Sequence, residues 1–354
     1  MPELPEVETV ARDLRRLVVG ATITGATGDW PRTVASHASI AALADGLAGR
    51  RIEAVGRRAK LVVVDLAGGV ALTIHLKMTG QLFVVPAGAP SDRHVHLSLT
   101  LDDGRELRFR DIRKFGRVGL WPRDPRSGAI LVGQGGAELF AGHGPEPLDA
   151  AFTLRAFRAR LRVRRSRLKP LLLDQAFVAG IGNIYADEAL WRARLHPLRR
   201  AGSLHPPDEA RLYREVRAVL AEAIERRGSS IDDYTAPDGD GAMQERLVVY
   251  QRAGAPCLRC GRPIRRIVVG QRATHFCSWC QRLPATDRAG AAAILATGRP
   301  PRGRGRGWVE LPGEGVLGRT PAESARAEAQ VRTDRTRRAA ATRRAAARAA
   351  VGGA

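Results

Sequence analysis

The sequence has 354 residues, of which 44% are hydrophobic, and a formal net charge of +22. That length supports two domains with separate cores. A positive excess of this size is costly by self-repulsion unless a polyanion is the partner, with nucleic acid ahead of anionic membrane. No apolar run reaches the roughly 18 residues of a membrane span. The opening also carries glutamates where a secretory leader carries lysines, so a cytoplasmic, nucleoid-associated protein is expected.

The chain begins MPELPEVETV. Val7, Val10, Ala11, Leu14, Leu17 and Val18 recur at three- and four-residue steps, predicting one amphipathic helix that stops at Gly20. Pro5 suits its first turn, and Glu6 and Glu8 suit its positive end. From about residue 21 to 123 the pattern changes to short β-type runs: ATITGAT, RIEAVGR, KLVVVDL, ALTIHL, QLFVV, HVHLSLTL, ELRFRD and RVGLW. Turns such as Ala67-Gly68-Gly69 and Asp102-Asp103-Gly104 punctuate them, predicting a sandwich or barrel. A Gly- and Pro-rich connector, 124–152, follows. TLRAFRARLRV, LKPLLLDQAFV, IYADEALWRARL and DEARLYREVRAVLAEAIERRG then read as helices over 153–248. The polar stretch SSIDDYTAPDGDGAMQ has the composition of a mobile loop.

The four cysteines lie together, as Cys257-Leu-Arg-Cys260 and Cys277-Ser-Trp-Cys280. Two C-x₂-C knuckles at this separation can fold on each other and offer four thiolates to one Zn²⁺. With no open position, such an ion is structural. Between the knuckles, PIRRIVVGQRATHFC reads as a β-hairpin turning at Gly270-Gln271, so 249–284 is expected to be a zinc finger. Its Arg262, Arg265, Arg266 and Arg272 suit contact with phosphates. Residues 285–354 are expected to form a basic, disordered tail. They hold 14 Arg and six acids, so they carry +8 of the +22 and the body keeps +14.

MPELPEVETV, RRAKLVVVDL, HLKMTGQL, DIRKFGRVGLW, HGPEPL, LKPLLLDQAFVAGIGNIYADEAL, VYQRAGAPCLRCG and QRATHFCSWCQ occur in the order seen in formamidopyrimidine-DNA glycosylases. The resemblance covers residues 1 to about 281, and Leu4 matches the formamidopyrimidine branch. It implies a multidomain α+β protein: an N-terminal catalytic β-sandwich with flanking helices (1–123), a helical domain carrying a helix–two-turns–helix motif, and the zinc finger. The implied activity is bifunctional DNA glycosylase/AP lyase on oxidised purines in damaged double-stranded DNA, performed by a monomer.

In that chemistry Met1 is removed and Pro2 presents a secondary amine. An α-amine titrates near ~8, so a useful fraction is neutral and nucleophilic. A secondary amine that has attacked C1′ gives an iminium that cannot lose a further proton, and this electron sink drives β- and δ-elimination. The resemblance assigns Glu3 proton transfer and Glu6 the ordering of water or the neighbouring amine. Lys60, at the start of a predicted strand, and Arg272 take the lesion phosphates and support elimination. Met78, Arg113 and Phe115 match the residues that fill the gap left by an extruded base. In GIGNIYADEAL, Gly180 and Gly182 permit a close backbone approach and the next helix offers N–H groups to phosphate, together with Asn183. Lys169, Arg164 and His94 are further phosphate candidates.

The sequence departs from the family at several points. The loop TAPDGDGAMQERLVVY is shorter, with Ala242-Met243 where Gly and an aromatic are common. Lys77 and Gln251 stand where glycine is usual, and Lys114 replaces a second arginine. Two alternatives remain at this point: the same chemistry on oxidised pyrimidines or abasic sites, and a zinc-finger DNA-binding protein without catalysis.

Overall fold

The computed structural model describes residues 2–133, 135–230 and 241–298. The core of the expected lesion loop, 231–240, and the tail beyond 298 lie outside the described residues.

Helix α1 spans Leu4–Val18, with Glu3 as its N-cap. Pro5 therefore occupies the second helical position, within the first turn as expected. Its missing N–H costs nothing there, because first-turn donors have no intrahelical acceptor. Leu4, Val7, Val10, Ala11, Leu14 and Val18 are all buried, and the helix packs on the strands that follow.

All eight predicted strands form: β1 (Thr22–Thr27), β2 (Arg50–Arg58), β3 (Leu61–Leu66), β4 (Val70–His75), β5 (Gly80–Pro86), β6 (Val95–Leu101), β7 (Arg105–Asp111) and β8 (Arg117–Pro122). Their order is β5-β7-β6-β1-β2-β3-β4-β8, antiparallel throughout. β1 and β2 pair at only two positions, Thr22 with Arg51 and Ile23 with Arg50, so the sheet divides there into two four-stranded halves. Both halves feed one apolar core: Leu97, Leu107 and Phe109 from one, Val62, Leu72 and Ile74 from the other. This is the sandwich. A helix that the β-type reading of 21–123 passed over, α2 (Ile40–Leu47), adds Leu43 and Leu47 to the same core. Its start is marked by Ser39, whose hydroxyl accepts from Ala42 N at 3.1 Å.

The connector contributes a two-residue ladder, β9 (Leu131–Val132) with β10 (Ala137–Glu138). A second core is helical, built on α3 (Leu154–Arg162), α4 (Leu168–Leu173), α5 (Asn183–Arg192) and α6 (Pro206–Glu225). α5 is buried on every side from Ile184 to Trp191, which makes it the axis of this half. The hairpin of β11 (Arg265–Val269) and β12 (Arg272–Phe276) turns at Gly270-Gln271 as expected. The chain does not become an unstructured tail at residue 285. A 3₁₀ turn at Ala285–Asp287 and α7 (Ala292–Ala296) pack on the hairpin, with Ala291, Ile294 and Leu295 against Ile267 and Val269.

Candidate active site

The chain terminus is built into the helical half. Leu4 N donates to Gly180 O at 2.9 Å. The Glu3 carboxylate is 1% exposed and receives three backbone donors at the start of α5: Gly182 N (2.7 Å), Ile184 N (2.8 Å) and Tyr185 N (3.4 Å). α5 has no side-chain cap of its own at Gly182, so Glu3 supplies it from the other end of the sequence. This corrects the expected use of the GIGN turn. Gly182 N, with Ile184 N and Tyr185 N of the helix that follows, is taken by Glu3 rather than left for phosphate. The turn's glycines make room for the terminus: a Cβ on Gly182 would lie 2.3 Å from Glu3 Cδ, and one on Gly180 2.6 Å from Leu4 Cδ1.

Glu6 completes the clamp. Its Oε2 accepts from Glu3 N at 2.8 Å, and its Oε1 accepts from Tyr185 Oη and from Ser229 N at 2.9 Å. Glu6, expected to order water or the neighbouring amine, thus anchors the segment that carries Pro2 and Glu3. Tyr185 and Ser229 were not singled out in the sequence. Nothing in their spacing marks them, because their partner is 179 and 223 residues away.

Lys60 does not begin a strand. It sits with Ala59 in the tight turn between β2 and β3 and is 8% exposed, so it is not a solvated surface charge. Burial lowers its pKa, while Glu3 and Glu6 act to raise it and Arg272 to lower it. Burial raises the Glu3 pKa, opposed first by Lys60. These mutual effects place Glu3, Glu6, Lys60 and Arg272 in one electrostatic cluster beside buried Pro2. His75 borders it, with a pKa pushed down to about 3 by burial, Lys77 and Lys60, and so adds no charge.

Arg272 starts β12, and its neighbour ties the hairpin to α5: Asn183 Nδ2 donates to Ala273 O at 3.0 Å. Asp187 of α5 accepts from His275 N at 2.9 Å and from Lys169 Nζ at 2.6 Å. Lys169 is 0% exposed and also donates to Asn183 O at 2.9 Å. In this structure it is a buried strut between α4 and α5, its ammonium engaged by Asp187 and Asn183 O rather than presented to a phosphate. Glu188 accepts from Val248, Val249 and Tyr250 N and fixes the entry to the finger.

Met78, Arg113 and Phe115 come from two adjacent loops joined by buried Asp111. Its Oδ1 accepts from Thr79 Oγ1 (2.5 Å) and Arg113 N (3.2 Å), and its Oδ2 accepts from Gly116 N (2.6 Å). The Arg113 guanidinium lies 4.9 Å over the Phe115 ring, which is 47% exposed. An exposed aromatic on a rigid staple can act as a wedge. Met78 is half-buried. His94 is half-buried beside exposed Asp92, to which its N donates at 2.8 Å. Arg164 is half-buried, with Nε enclosed and without a partner among the described residues. Neither is brought against the Glu3 cluster by any contact.

The four cysteine sulfurs lie within 4.8 Å of one another, with Cys260–Cys277 at 3.5 Å and Cys257–Cys280 at 4.0 Å. Tetrahedral zinc with Zn–S near ~2.3 Å requires S–S separations of about 3.8 Å. The site fits one structural zinc ion.

Family models match in the same order along the chain. The formamidopyrimidine-DNA glycosylase N-terminal domain covers 1–118, the H2TH domain of the same enzymes 143–235, and a zinc finger found in FPG and IleRS 254–283. A formamidopyrimidine-DNA glycosylase of Chloroflexus aurantiacus is 52% identical over 284 residues, 79% of this chain and 98% of the relative. The chain belongs to the formamidopyrimidine-DNA glycosylase family. The Herpetosiphon aurantiacus member is 48% identical over 79% of this chain and 100% of its own length. Among solved structures, the MutM (FPG) protein of Thermus thermophilus aligns with a TM-score of 0.69 at 45% identity, over 79% of this chain and 98% of its own. A mutant of the Lactococcus lactis FPG protein in complex with a Fapy-dG containing DNA aligns at 0.72 and 36%, over 80% and 100%. Family glycines explain two departures noted in the sequence. Lys77 (φ 55°) and Gln251 (φ 57°) both have the left-handed backbone that glycine adopts without cost. Lys114 (φ 57°) shares it. Among the described residues, no helix is long and apolar enough to cross a membrane.

Proposed function

We propose that this chain is a bifunctional DNA glycosylase/AP lyase of base excision repair that removes oxidised purines from duplex DNA in the nucleoid of the cytoplasm. The observation that carries the reading is the buried group of Glu3, Glu6 and Lys60 next to buried Pro2, with the exposed Arg272 of the hairpin acting on Lys60. A structural helix start does not need a carboxylate and a lysine buried together, and perturbed pairs of this kind mark reaction sites.

The Pro2 amine, freed by loss of Met1, attacks C1′. The N–C1′ bond forms as the bond to the damaged base breaks, and the base leaves with a proton. Glu3, whose pKa is raised by burial, can hold and deliver a proton to the sugar ring oxygen as the ring opens to the iminium. Loss of a C2′ proton then expels the 3′ phosphate, and a second elimination expels the 5′ phosphate. Lys60 and Arg272 supply positive charge to those phosphates, and Lys60, with its pKa lowered, is also able to accept a proton. Glu6, Tyr185 and Ser229 hold the terminus in place. Met78, Arg113 and Phe115 fill the duplex, and Asn183, Arg164 and His94 take backbone phosphates. Zinc holds the hairpin that carries Arg272.

Single-lesion duplexes test this. With 8-oxoguanine or a formamidopyrimidine, the expected products are free base and a one-nucleotide gap bearing phosphates at both ends. Cleavage confined to oxidised pyrimidines or abasic sites shifts the substrate, and binding without cleavage on every duplex defeats the enzyme reading.

A further inference from the structure

Relatives that this chain covers to 98–100% of their length align over about 284 of its residues. The segment 285–298 therefore extends the ordered body beyond the common family core. It is well anchored. Arg167 donates to Asp287 O (3.3 Å) and Ala289 O (3.1 Å), and Asp287 Oδ2 accepts from Ser203 Oγ (2.6 Å) and Arg200 N (3.3 Å). Val268 N, on the outer edge of β11, donates to Thr297 Oγ1 at 2.9 Å.

Between this extension and the hairpin lies a cavity of about 590 Å³, within the range of small-ligand sites. Its walls carry Arg265, Arg282 and Arg288, and its apolar lining includes Phe276, Leu283 and Leu295. No carboxylate among the described residues pairs with any of the three guanidiniums. From residue 250 to 298 the sequence has eight arginines and a single acid, Asp287, which is 2% exposed and committed to Ser203 and Arg200. Arg282 is oriented by its stack on Trp279, 4.5 Å from the ring centroid. His196 lines the cavity with its ring edge-on to Phe276, centroids 4.6 Å apart, and burial with the nearby Arg167 and Arg265 pushes its pKa down to about 4. The wall at His196 and Phe276 is therefore uncharged, while the three arginines of the lining have no carboxylate partner among the described residues.

We propose that this cavity is a phosphate-binding site created by the extension. Arg265, Arg282 and Arg288 hold a phosphate monoester or diester, and Phe276, Leu283 and Leu295 receive the apolar face of the group that bears it. Planar guanidiniums match phosphate oxygens two at a time, and three of them without an internal counter-ion favour an anion of multiple charge. The phosphate can come from a free nucleotide or from a nucleic-acid strand running past the back of the finger.

Calorimetric titration of the full-length zinc-loaded protein with deoxyguanosine monophosphate, without DNA, tests the first source. Saturable binding is expected, weakened at least tenfold by Arg265→Ala/Arg288→Ala and partly retained by the double Lys variant, with zinc content unchanged in both. The salt dependence of binding to undamaged duplex tests the second. If a strand is the source, the double Ala variant lowers the slope of log K against log salt by about 2. No saturation with the nucleotide and an unchanged slope overturn the proposal. Trapping on an abasic duplex, run on the same preparations, reports on the lesion chemistry separately, so failure of one reading is not mistaken for failure of the other.

Discussion

Glu3 Oε1 accepts a hydrogen bond from Ile184 N at 2.8 Å, joining the third residue of the chain to the first turn of the central helix of the other half. The proposed nucleophile is thus mounted on the helical core through the residue that follows it. Gly182 is the weak point of this mount, because any side chain there meets the Glu3 carboxylate at 2.3 Å. Gly182→Ala is expected to destabilise the protein by about 1–3 kcal/mol. It should also slow base excision more than 100-fold while leaving zinc content intact, as read by thermal melts, single-turnover excision and metal analysis.

The raised pKa of Glu3 has a definite sign. A carboxylate harder to ionise in the folded state contributes stability that is fully present below its unfolded value, here 4.5, and is lost as pH rises through the folded value. Glu3→Gln removes this titration. The difference in melting temperature, variant minus parent, should therefore grow as pH rises from about 4 upward. A difference that is flat in pH contradicts the assignment.

Asp111 staples the two wedge loops. Asp111→Ala leaves Gly116 N and the Thr79 hydroxyl without their buried acceptor, at about 1–3 kcal/mol for each donor, while Arg113 N keeps Thr79 Oγ1. Affinity for an abasic-site duplex should fall at least tenfold, with Phe115→Ala giving a comparable loss without loss of stability. Fluorescence anisotropy and melting curves separate the two.

Lys77 and Gln251 each hold a left-handed backbone, which costs a non-glycine residue about 1–2 kcal/mol. Gln251→Gly is expected to raise stability by several tenths of a kcal/mol or more, the relief being offset in part by glycine's greater unfolded-state entropy. Denaturant melts measure it. Lys77→Gly should behave likewise and additionally remove a positive charge beside Met78.

Much of this architecture is legible in the sequence because its signals are local. The eight strands are short β-type runs set off by turn residues, the helices repeat at three- and four-residue steps, and the cysteine pairs announce their metal by spacing. The motif order supplies the candidates Pro2, Glu3, Lys60 and Arg272. What escaped is long-range or backbone-made. Burial of Lys169 with Asp187 turns a presumed phosphate contact into a strut, because a lysine's partner cannot be read from its neighbours. The same holds for the amides of Gly182 and Ile184: a helix start looks like an anion site in sequence, and only the folded chain reveals that the anion is Glu3. α7 was missed because alanine- and glycine-rich sequence resembles a linker until the Ile267 and Val269 face that it covers is in view.

Removal of zinc should act through the hairpin. Four thiolates without their ion repel one another as they ionise, and Arg272 loses its support from β11 and β12. Chelation is expected to abolish strand cleavage and to melt the finger, by loss of β-signal and protease resistance, before the sandwich core unfolds. Zinc should restore both.

The central claim is that the amine of residue 2 is the nucleophile. Full-length protein is incubated with an 8-oxoguanine duplex in the presence of borohydride, and the covalent product is digested and mapped by mass spectrometry. The account predicts a reduced adduct on Pro2, in protein from which Met1 has been removed. An adduct mapping to Lys60 or another side chain, or efficient base excision by protein that retains Met1, contradicts it.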